Sequence, residues 1–459
     1  MEELHCWLLC GLNKLYDIVW GFPLMALIFS LGLYLTIALR GIQLRRLVYA
    51  IKLITAPASS RAAQGDLNNF AALMMALAAT IGTGNIAGVA TAFTTGGIGA
   101  LFWMWVTALI GMPIKYAEAL LAIKYRQMDR RGQMCGGPMH FIQWGLGWRF
   151  VASSFALLCA IGAFGGGNML QANSMAAVMG ALFDVDALWA GGAIAFFTAL
   201  SLLGGVKSIG RIASFLVPIM ALIYLGAALV ILGWHWDHIP GALYTIVSHA
   251  FTGEAAIGGF LGATVAQAVQ VGISRGVMTS DTGLGTASII AAAAKSDHPC
   301  HQALISMTGS FFATIITCSA TGLVIIVTNV LGQVDSNGLL LTGASLTVTA
   351  FQTLFLTWGG YIVAFGLLLF GFTTILGWAY YGEKCIEYLM GERAIPFYRL
   401  FFTLIAFLGA CLQLDIVWKV SDICNGLMAF PNLIALCFLA HIAVAETRNF
   451  DIRKCAAMS

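Results

Sequence analysis

The chain alternates long apolar runs with short polar connections along its whole length. Each run approaches the roughly 20 residues that a helix needs to cross a hydrocarbon core of ~30 Å. The period-two alternation that is typical of a membrane β-barrel is absent. The pattern predicts an all-α integral membrane protein with about eleven transmembrane helices, near residues 17–39, 68–95, 98–124, 150–180, 187–206, 212–233, 255–293, 301–330, 354–382, 397–413 and 415–442.

Composition supports this prediction and indicates the surroundings of the protein. Of 459 residues, 60% are hydrophobic and 9% are charged, whereas a soluble domain carries about 25% charged residues. The expected partner of such a surface is a lipid bilayer. The net charge of +3 does not indicate nucleic acid, because the basic residues follow the loops. The first apolar run follows Glu2 and Glu3, so it is predicted to be a helix and not a signal peptide.

Lysine and arginine concentrate in alternate connections, as expected of cytoplasmic loops. The loops around Asp184, Asp237 and Asp335, on the opposite face, contain neither residue. An odd number of spans, with the N-terminus outside and the C-terminus in the cytoplasm, fits this distribution. The basic positions on the cytoplasmic face are Arg40, Arg45, Arg46, Lys52, Arg61, Lys124, Arg126, Arg130, Arg131, Arg149, Lys207, Arg211, Lys295, Lys384, Arg393, Arg399, Arg448, Arg453 and Lys454.

Without the first span, the remaining ten divide into two runs of five. Because five is odd, the two runs must have opposite orientations in the membrane. Both runs open with an apolar segment that glycine interrupts, at Thr80–Gly88 and at Met278–Gly285. Paired interruptions of this kind indicate a transporter's binding site near the membrane midplane. The predicted regions are an N-terminal region at 1–66, a first repeat at 67–233, a second repeat at 234–447 and a tail at 448–459.

The first interruption contains Gly82, Thr83, Gly84 and Asn85. Each glycine weakens a helix by about 1 kcal/mol relative to alanine, and a break would free backbone groups that lipid cannot satisfy. Freed N–H groups suit a carboxylate, and freed carbonyls with the Thr83 hydroxyl suit Na⁺. Close helix packing is the alternative, since Gly84 and Gly88 have a GxxxG spacing.

The second interruption contains Asp281 in an otherwise apolar region. An ionisable residue at membrane depth is a functional candidate by default; the alternatives are a helix cap for the segment from Thr282 onward and a position near the interface. Lys115 and Glu118 have an i, i+3 spacing in the third span and are predicted to pair locally near its cytoplasmic end.

Two further regions carry polar groups that suit a binding site. Asn168 and Gln171 share a helical face, where amides suit the polar ends of an amino acid or bonds between helices. Thr373 and Thr374 offer hydroxyls that suit a hard cation, and Trp378 lies one turn after Thr374. Threonine that bonds to its own helix is the alternative.

Features of an enzyme are missing from the sequence. Eleven cysteines include no CxxC pair, and eight histidines include no HExxH spacing. A zinc centre is therefore not indicated, and no nucleophile or carboxylate pair on facing helices is evident. The sequence predicts a protein that is not an enzyme and that has no cofactor.

Together these segments resemble the alanine or glycine:cation symporter family, in the expected order along most of the chain. The segments that carry the resemblance are Gly82–Ala92, Phe102–Trp105 with Gly111, Gly167–Asn173, Asp281–Gly285 with Lys295–Pro299, and Thr374–Trp378 with Tyr381–Lys384.

The resemblance implies a leucine-transporter-type fold, with a 5+5 inverted repeat preceded by one extra helix. It also implies uptake of a small neutral amino acid, alanine or glycine, with Na⁺ as the co-transported ion, by alternating access across a prokaryotic plasma membrane (the inner membrane in a Gram-negative bacterium). The implied substrate residues are Gly82, Thr83, Gly84, Asn85, Gln171, Met278, Ser280, Thr374 and Trp378, and the implied sodium ligands are Thr83, Thr373 and Thr374.

One departure affects the coupling ion. Where the family usually has Asn-Glu-Ala-Gly, this chain has Ser-Asp-Thr-Gly at 280–283. The shorter carboxylate of Asp281 and the added hydroxyl of Thr282 could alter substrate choice or coupling. A proton-coupled amino acid transporter that uses Asp281 is therefore the nearest alternative, ahead of a channel or a membrane-embedded enzyme.

Overall fold

The computed structural model describes residues 2–55, 65–252, 264–334, 338–412 and 415–458, and within them the side chains except those of 2–10, 415–418 and 451–458. Almost all of the described chain is helical. In the described residues, four helical segments precede the first half of the fold, and one candidate membrane span, Gly11–Ala38, runs across the first two. The four segments are α1 (Glu2–Val19), α2 (Phe22–Ala38), α3 (Ile42–Arg45) and α4 (Leu47–Thr55).

The first half of the fold opens with a broken helix and continues through four further spans. In chain order its elements are α5 (Asn69–Thr80), a π-helical turn (Gly84–Gly88), α6 (Val89–Gly96), α7 (Ala100–Lys124), the strands β1 (Gln127–Met128) and β2 (Met134–Cys135), α8 (Pro138–Leu146), α9 (Arg149–Phe164), a second π-helical turn (Gly165–Met169), α10 (Leu170–Phe183), α11 (Ala187–Leu203) and α12 (Gly205–Trp234). The two strands pair antiparallel in a short hairpin.

The second half follows the same plan after a short 3-10 turn (Trp236–His238). Its elements are α13 (Ile239–Thr252), α14 (Val265–Ser280), α15 (Thr286–Ala293), α16 (Pro299–Ser310), a π-helical stretch (Phe311–Cys318), α17 (Ser319–Val327), α18 (Gly343–Phe355), α19 (Thr357–Met390), a 3-10 turn (Glu392–Ala394), α20 (Ile395–Cys411) and α21 (Asp415–Met458).

The span count agrees with the sequence prediction. Among the described residues, 8 helices are long and apolar enough to cross a membrane. The pair formed by α5 and Gly84–Gly96 adds a ninth span, which bends by 54° at its break. The shorter apolar helix α11 and the broken pair α14 and α15 lie where the other two spans are predicted, at 187–206 and 255–293.

The second break is a turn of five residues between α14 and α15. Asp281, Gly283 and Gly285 all have positive φ angles, of 52°, 79° and 78°. Glycine adopts this backbone region freely, and aspartate does so more readily than most other residues. The predicted break in the long apolar segment 255–293 is confirmed there, and the beginning of that segment lies outside the described residues.

Small residues bring the broken helices close to their neighbours. A Cβ on Gly377 of α19 would lie 2.5 Å from the Ala79 Cβ of α5, and a Cβ on Gly111 of α7 would lie 2.4 Å from the Thr282 side chain. Without a hydrophobic driving force between helices, such close packing is a main source of stability in a membrane. Both breaks are therefore held in the interior of the helix bundle.

Candidate functional site

A cavity of about 90 Å³ lies between the two helix breaks. Most of the sequence-predicted site residues line it, but Ser280 and Thr373 do not. The predicted residues at its wall are Gly82, Thr83, Gly84, Asn85, Gln171, Met278, Asp281, Thr374 and Trp378. Positions almost 300 residues apart in the sequence thus meet at one place.

The first break exposes backbone donors that side-chain amides satisfy. The helix α5 ends at Thr80, and Ile81 is extended. The Gly82 N–H donates to Asn85 Oδ1 at 3.1 Å. The N–H and the hydroxyl of Thr83 both approach Gln171 Oε1, at 3.4 and 3.1 Å. Acceptor oxygens therefore already surround the N–H groups of this break.

Asn85 also joins the first break to the second half of the fold. Its side chain is fully buried, and its Nδ2 donates to the carbonyls of Thr279 and Ala313 at 3.4 and 3.0 Å. One amide therefore connects the beginning of the resumed helix with the end of α14 and with the π-helical stretch.

The Thr374 hydroxyl lies against the end of α5. Its Oγ1 is 3.0 Å from the Ala78 carbonyl oxygen and 3.4 Å from that of Ile81. A Cβ on Gly82 would come within 2.8 Å of the same hydroxyl, so only glycine fits there without displacement. The hydroxyl and the two carbonyls offer three hard oxygen ligands, which suit an alkali cation.

The other two predicted sodium ligands have different surroundings. Thr373 Oγ1 donates to the Phe370 carbonyl at 3.1 Å and lies 3.7 Å from Met220 Sδ. Thr83 Oγ1 contacts Gln171 as described above. Thr373 therefore bonds to its own helix, which is the alternative given above for these threonines. Thr374 bonds instead to α5.

Trp378 forms one wall of the cavity. Its indole Nε1 donates to the Ala79 carbonyl at 3.2 Å. A Cβ on Gly167 would lie 2.3 Å from the Trp378 Cβ, which explains a glycine at this position of the second π-helical turn. Of the two amides in this region, Gln171 faces the cavity, whereas Asn168 donates to the Phe402 carbonyl at 2.7 Å and so joins two helices.

Asp281 and Ser280 have separate environments at the second break. Asp281 Oδ2 accepts from the Thr80 hydroxyl at 3.2 Å, so the two breaks are joined by a second bond. The Ser280 hydroxyl instead donates to the Gly276 carbonyl at 2.7 Å, and its oxygen lies 2.9 Å from Thr282 Oγ1. Asp281 ends α14 and does not cap a following helix, because α15 begins at Thr286 after Gly285.

Lys115 and Glu118 interact electrostatically, as their spacing predicts. In the described part of the chain no ion pair joins them, and both side chains instead hydrogen-bond to groups at or beside the second break. Lys115 Nζ donates to the Ser280 carbonyl at 2.7 Å and interacts electrostatically with Asp281. Glu118 Oε1 accepts from Asn432 Nδ2 at 2.7 Å, and the same amide donates to the Gly283 carbonyl at 2.8 Å. These partners are more than 160 residues away, so helical spacing alone did not indicate them.

Two charged residues at the cavity wall were not predicted. Arg275 of α14 and Asp422 of α21 both line it, and in the described part of the chain no ion pair joins them. The Asp422 Oδ1 is buried without a hydrogen-bond partner. An acid within the last apolar span is a sequence feature that would have identified Asp422.

A separate group of acidic and thiol side chains lies between the hairpin after α7 and the end of α19. Oxygen or sulfur atoms of Asp129, Cys135 and Glu387 lie within 4.8 Å of one another. Lys384 Nζ is 2.9 Å from Glu387 Oε2 and 3.3 Å from Cys135 Sγ. The Lys384 ammonium therefore occupies the position that a metal ion would take. In addition, burial raises the pKa of the Cys135 thiol to about 12, and this disfavours the thiolate form that binds a metal.

Comparison with known proteins gives consistent results. The model of the sodium:alanine symporter family matches residues 7–458. The sodium/alanine symporter AgcS of Methanococcus maripaludis is 48% identical over 448 residues, which cover 96% of this chain and 97% of that protein. The probable sodium/glutamine symporter GlnT of Bacillus subtilis is 32% identical over 439 residues, which cover 95% of this chain and 90% of that protein.

Among solved structures, the chain resembles the crystal structure of MhsT in complex with L-phenylalanine. The TM-score is 0.53 at 15% sequence identity, and the match covers 85% of this chain and 98% of that chain. At this identity the similarity concerns the fold alone. It confirms the predicted leucine-transporter-type architecture, in which one extra helix precedes two inverted repeats of five helices.

Proposed function

The chain belongs to the sodium:alanine symporter family, and from this we propose that it takes up alanine, glycine or a close relative with Na⁺ by alternating access. Its family and its relatives are symporters, so the chain is a sodium-coupled amino acid transporter of the membrane and not an enzyme. We further propose that it works in the plasma membrane, with its N-terminus outside and its C-terminus in the cytoplasm, as the basic loops indicate.

The observation that carries the substrate proposal is the small cavity between the two breaks. Its volume of about 90 Å³ is smaller than the ~150 Å³ of an engineered protein cavity that holds benzene. Trp378 and Met278 lie at its wall and limit the space for a side chain. A small neutral amino acid satisfies these limits better than glutamine or an aromatic amino acid does.

The first break offers the donors that a substrate carboxylate needs. The N–H groups of Gly82 and Thr83 point to amide oxygens of Asn85 and Gln171. A carboxylate presents the same kind of acceptor with a full charge, and charge-assisted bonds are about twice as strong as neutral ones. Substrate binding would therefore replace these amide contacts, and Gly84 would allow the close approach.

The sodium proposal is supported by the oxygen donors around Thr374. The Ala78 and Ile81 carbonyls lie at the end of α5, beside the Thr374 hydroxyl of α19. Sodium at this place would join one broken helix to a helix of the second half. We propose Thr373 and Thr83 as further ligands, as the family resemblance implies. Movement of one helix group against the other would then expose the loaded cavity to each side in turn.

Proton coupling through Asp281 is the second candidate. Its carboxylate lines the cavity and accepts from Thr80, so a proton there would change the bond between the two breaks. Sodium remains the preferred ion because neutral oxygen donors meet at Thr374. Measurement of amino acid uptake against Na⁺ concentration at fixed pH separates the two candidates.

Substrate competition tests the proposed size limit. In proteoliposomes with an inward Na⁺ gradient, we expect unlabelled glycine and alanine to inhibit uptake of labelled alanine, because both fit the cavity. Leucine, glutamine and phenylalanine are expected to inhibit at least 10-fold more weakly, which corresponds to about 1.4 kcal/mol. Equal inhibition by glutamine would contradict the small-substrate proposal while leaving sodium coupling untouched.

A further inference from the structure

A second cavity, of about 230 Å³, lies far from the breaks, between the end of α2 and the end of α21. Three arginines line it, Arg40 and Arg45 from the turn after α2 and Arg448 from α21. Leu39 and Val444 form the apolar part of its wall. The transport cycle described above uses none of these residues.

The backbone after α2 is folded so that its arginines converge. Arg40 and Gly41 have positive φ angles of 56° and 64°, and the Gly41 N–H donates to the Thr36 carbonyl at 2.7 Å. This bond ends α2 and turns the chain into α3. Arg45 Nη1 donates to the Arg40 carbonyl at 3.4 Å, which holds its guanidinium near the turn.

Among the described residues, the three guanidinium groups have no acidic side chain within ion-pair distance. Within the described part of the chain, none of them forms an ion pair, whereas Lys124 pairs with Glu446 at 3.1 Å and Arg399 with Glu383 at 2.7 Å. Three converging positive charges repel one another and create a local positive potential. An anion with several acceptor oxygens would relieve this repulsion.

The position of the cavity identifies the kind of anion. The apolar stretch of α2 ends two residues before Arg40, and that of α21 extends from Lys419 to Phe450, so the arginines lie at the membrane boundary. In the last two turns of α2, Leu33 and Ile37 are 56% and 69% exposed. They lie one turn apart on the same helical face. A ligand with an anionic head and apolar chains matches both surfaces.

We propose that this cavity binds the headgroup of an anionic phospholipid, with the phosphate among Arg40, Arg45 and Arg448 and the acyl chains along Leu33 and Ile37. Arginine suits this role because its planar fork binds phosphate oxygens in pairs. Basic pockets between helices near a membrane surface are typical sites for such lipids. The bound lipid would fasten the extra helix α2 to the last helix α21.

Thermal unfolding of the purified full chain in a neutral detergent tests the proposal. Short-chain phosphatidylglycerol is expected to raise the unfolding midpoint, and phosphatidylcholine and inorganic phosphate at equal concentration are not. One arginine near an anionic lipid contributes about fivefold in affinity. Arg448→Gln should therefore raise the half-maximal phosphatidylglycerol concentration about fivefold, and the triple change of all three arginines to glutamine about 100-fold.

The matched control replaces three other exposed basic residues, Arg149, Lys207 and Arg211, by glutamine, which changes the net charge equally. This control should keep the wild-type lipid response. The same response from the triple arginine variant and from the control would overturn the site. Equal stabilisation by phosphatidylcholine, or by phosphate alone, would overturn the assignment to an anionic lipid. If the triple variant does not fold, the single Arg448→Gln variant gives the same comparison.

Discussion

Replacing Thr374 by valine is expected to raise the Na⁺ concentration for half-maximal amino acid uptake by about 10- to 100-fold. Valine keeps the shape of threonine but removes the hydroxyl that lies 3.0 Å from the Ala78 carbonyl. Loss of one bond to a charged partner costs about 1.5–3 kcal/mol, which corresponds to this range. Initial uptake rates in proteoliposomes, measured against external Na⁺, give the value.

Thr374→Ser is the matched control for this change, because serine retains the hydroxyl at the same carbon. It should keep a sodium requirement close to that of the wild type. Thr373→Val tests the second proposed ligand, and a comparable rise in its sodium requirement would assign that hydroxyl to the ion site. An unchanged sodium requirement in Thr374→Val would contradict the proposed location of the ion.

Replacing Lys115 by methionine is expected to destabilise the folded protein by about 3–5 kcal/mol and to abolish uptake. Lys115 and Asp281 are both buried, at 1% and 2% exposure, and Lys115 is the cation that interacts with the Asp281 carboxylate. Its ammonium also donates to the Ser280 carbonyl at 2.7 Å. Removal of this ammonium leaves a buried carboxylate and a buried carbonyl without it, and loss of one buried charge beside another costs about 3–5 kcal/mol. Unfolding in detergent and uptake in proteoliposomes should both be measured.

The double change Lys115→Met with Asp281→Asn identifies the cause, because it removes both charges. We expect this double variant to recover much of the stability that Lys115→Met loses. Recovery of uptake as well would show that transport does not need the Asp281 carboxylate. Lys124→Met, on the same helix, is the control. Lys124 is a partly exposed residue that pairs with Glu446, and its loss should cost no more than about 1 kcal/mol. Equal stability losses at the two lysines would contradict the role of Lys115.

The sequence predicted the architecture well because membrane crossing imposes few and strict requirements. Apolar length revealed the spans, and the odd number in each half required opposite orientations. The glycines at 82 and 84 and those at 283 and 285 marked both breaks, because glycine is unfavourable inside a helix. Both glycines of the second turn have positive φ angles, as Asp281 does.

Contacts between distant segments were harder to predict. Lys115 and Glu118 are one turn apart, so their spacing favours a local pair, yet each has a partner at the second break. Which groups Lys115 and Glu118 contact depends on how α7 packs against α14 and α21. The relative position of these helices cannot be read from a single sequence. Thr373 and Thr374 show the same limit, since adjacent hydroxyls point to different neighbours.

The two charged residues at the cavity wall, Asp422 and Arg275, were missed for a different reason. Asp422 lies in a stretch that hydropathy assigns to the membrane, and such a residue is a functional candidate by that fact alone. Arg275, which also lines the cavity, belongs to α14. Arg275 lies inside the predicted span 255–293, so the same reasoning applies to it.

Uphill uptake of labelled alanine by the wild-type protein in proteoliposomes tests the central claim most directly. Three conditions are compared. The first has an inward Na⁺ gradient with the same pH on both sides, and the second has equal Na⁺ concentrations on both sides. The third has an inward proton gradient, with K⁺ in place of Na⁺ throughout. The account predicts accumulation above the external concentration only with the Na⁺ gradient. Accumulation with the proton gradient in the absence of Na⁺ would contradict it and assign the coupling to a titrating group such as Asp281.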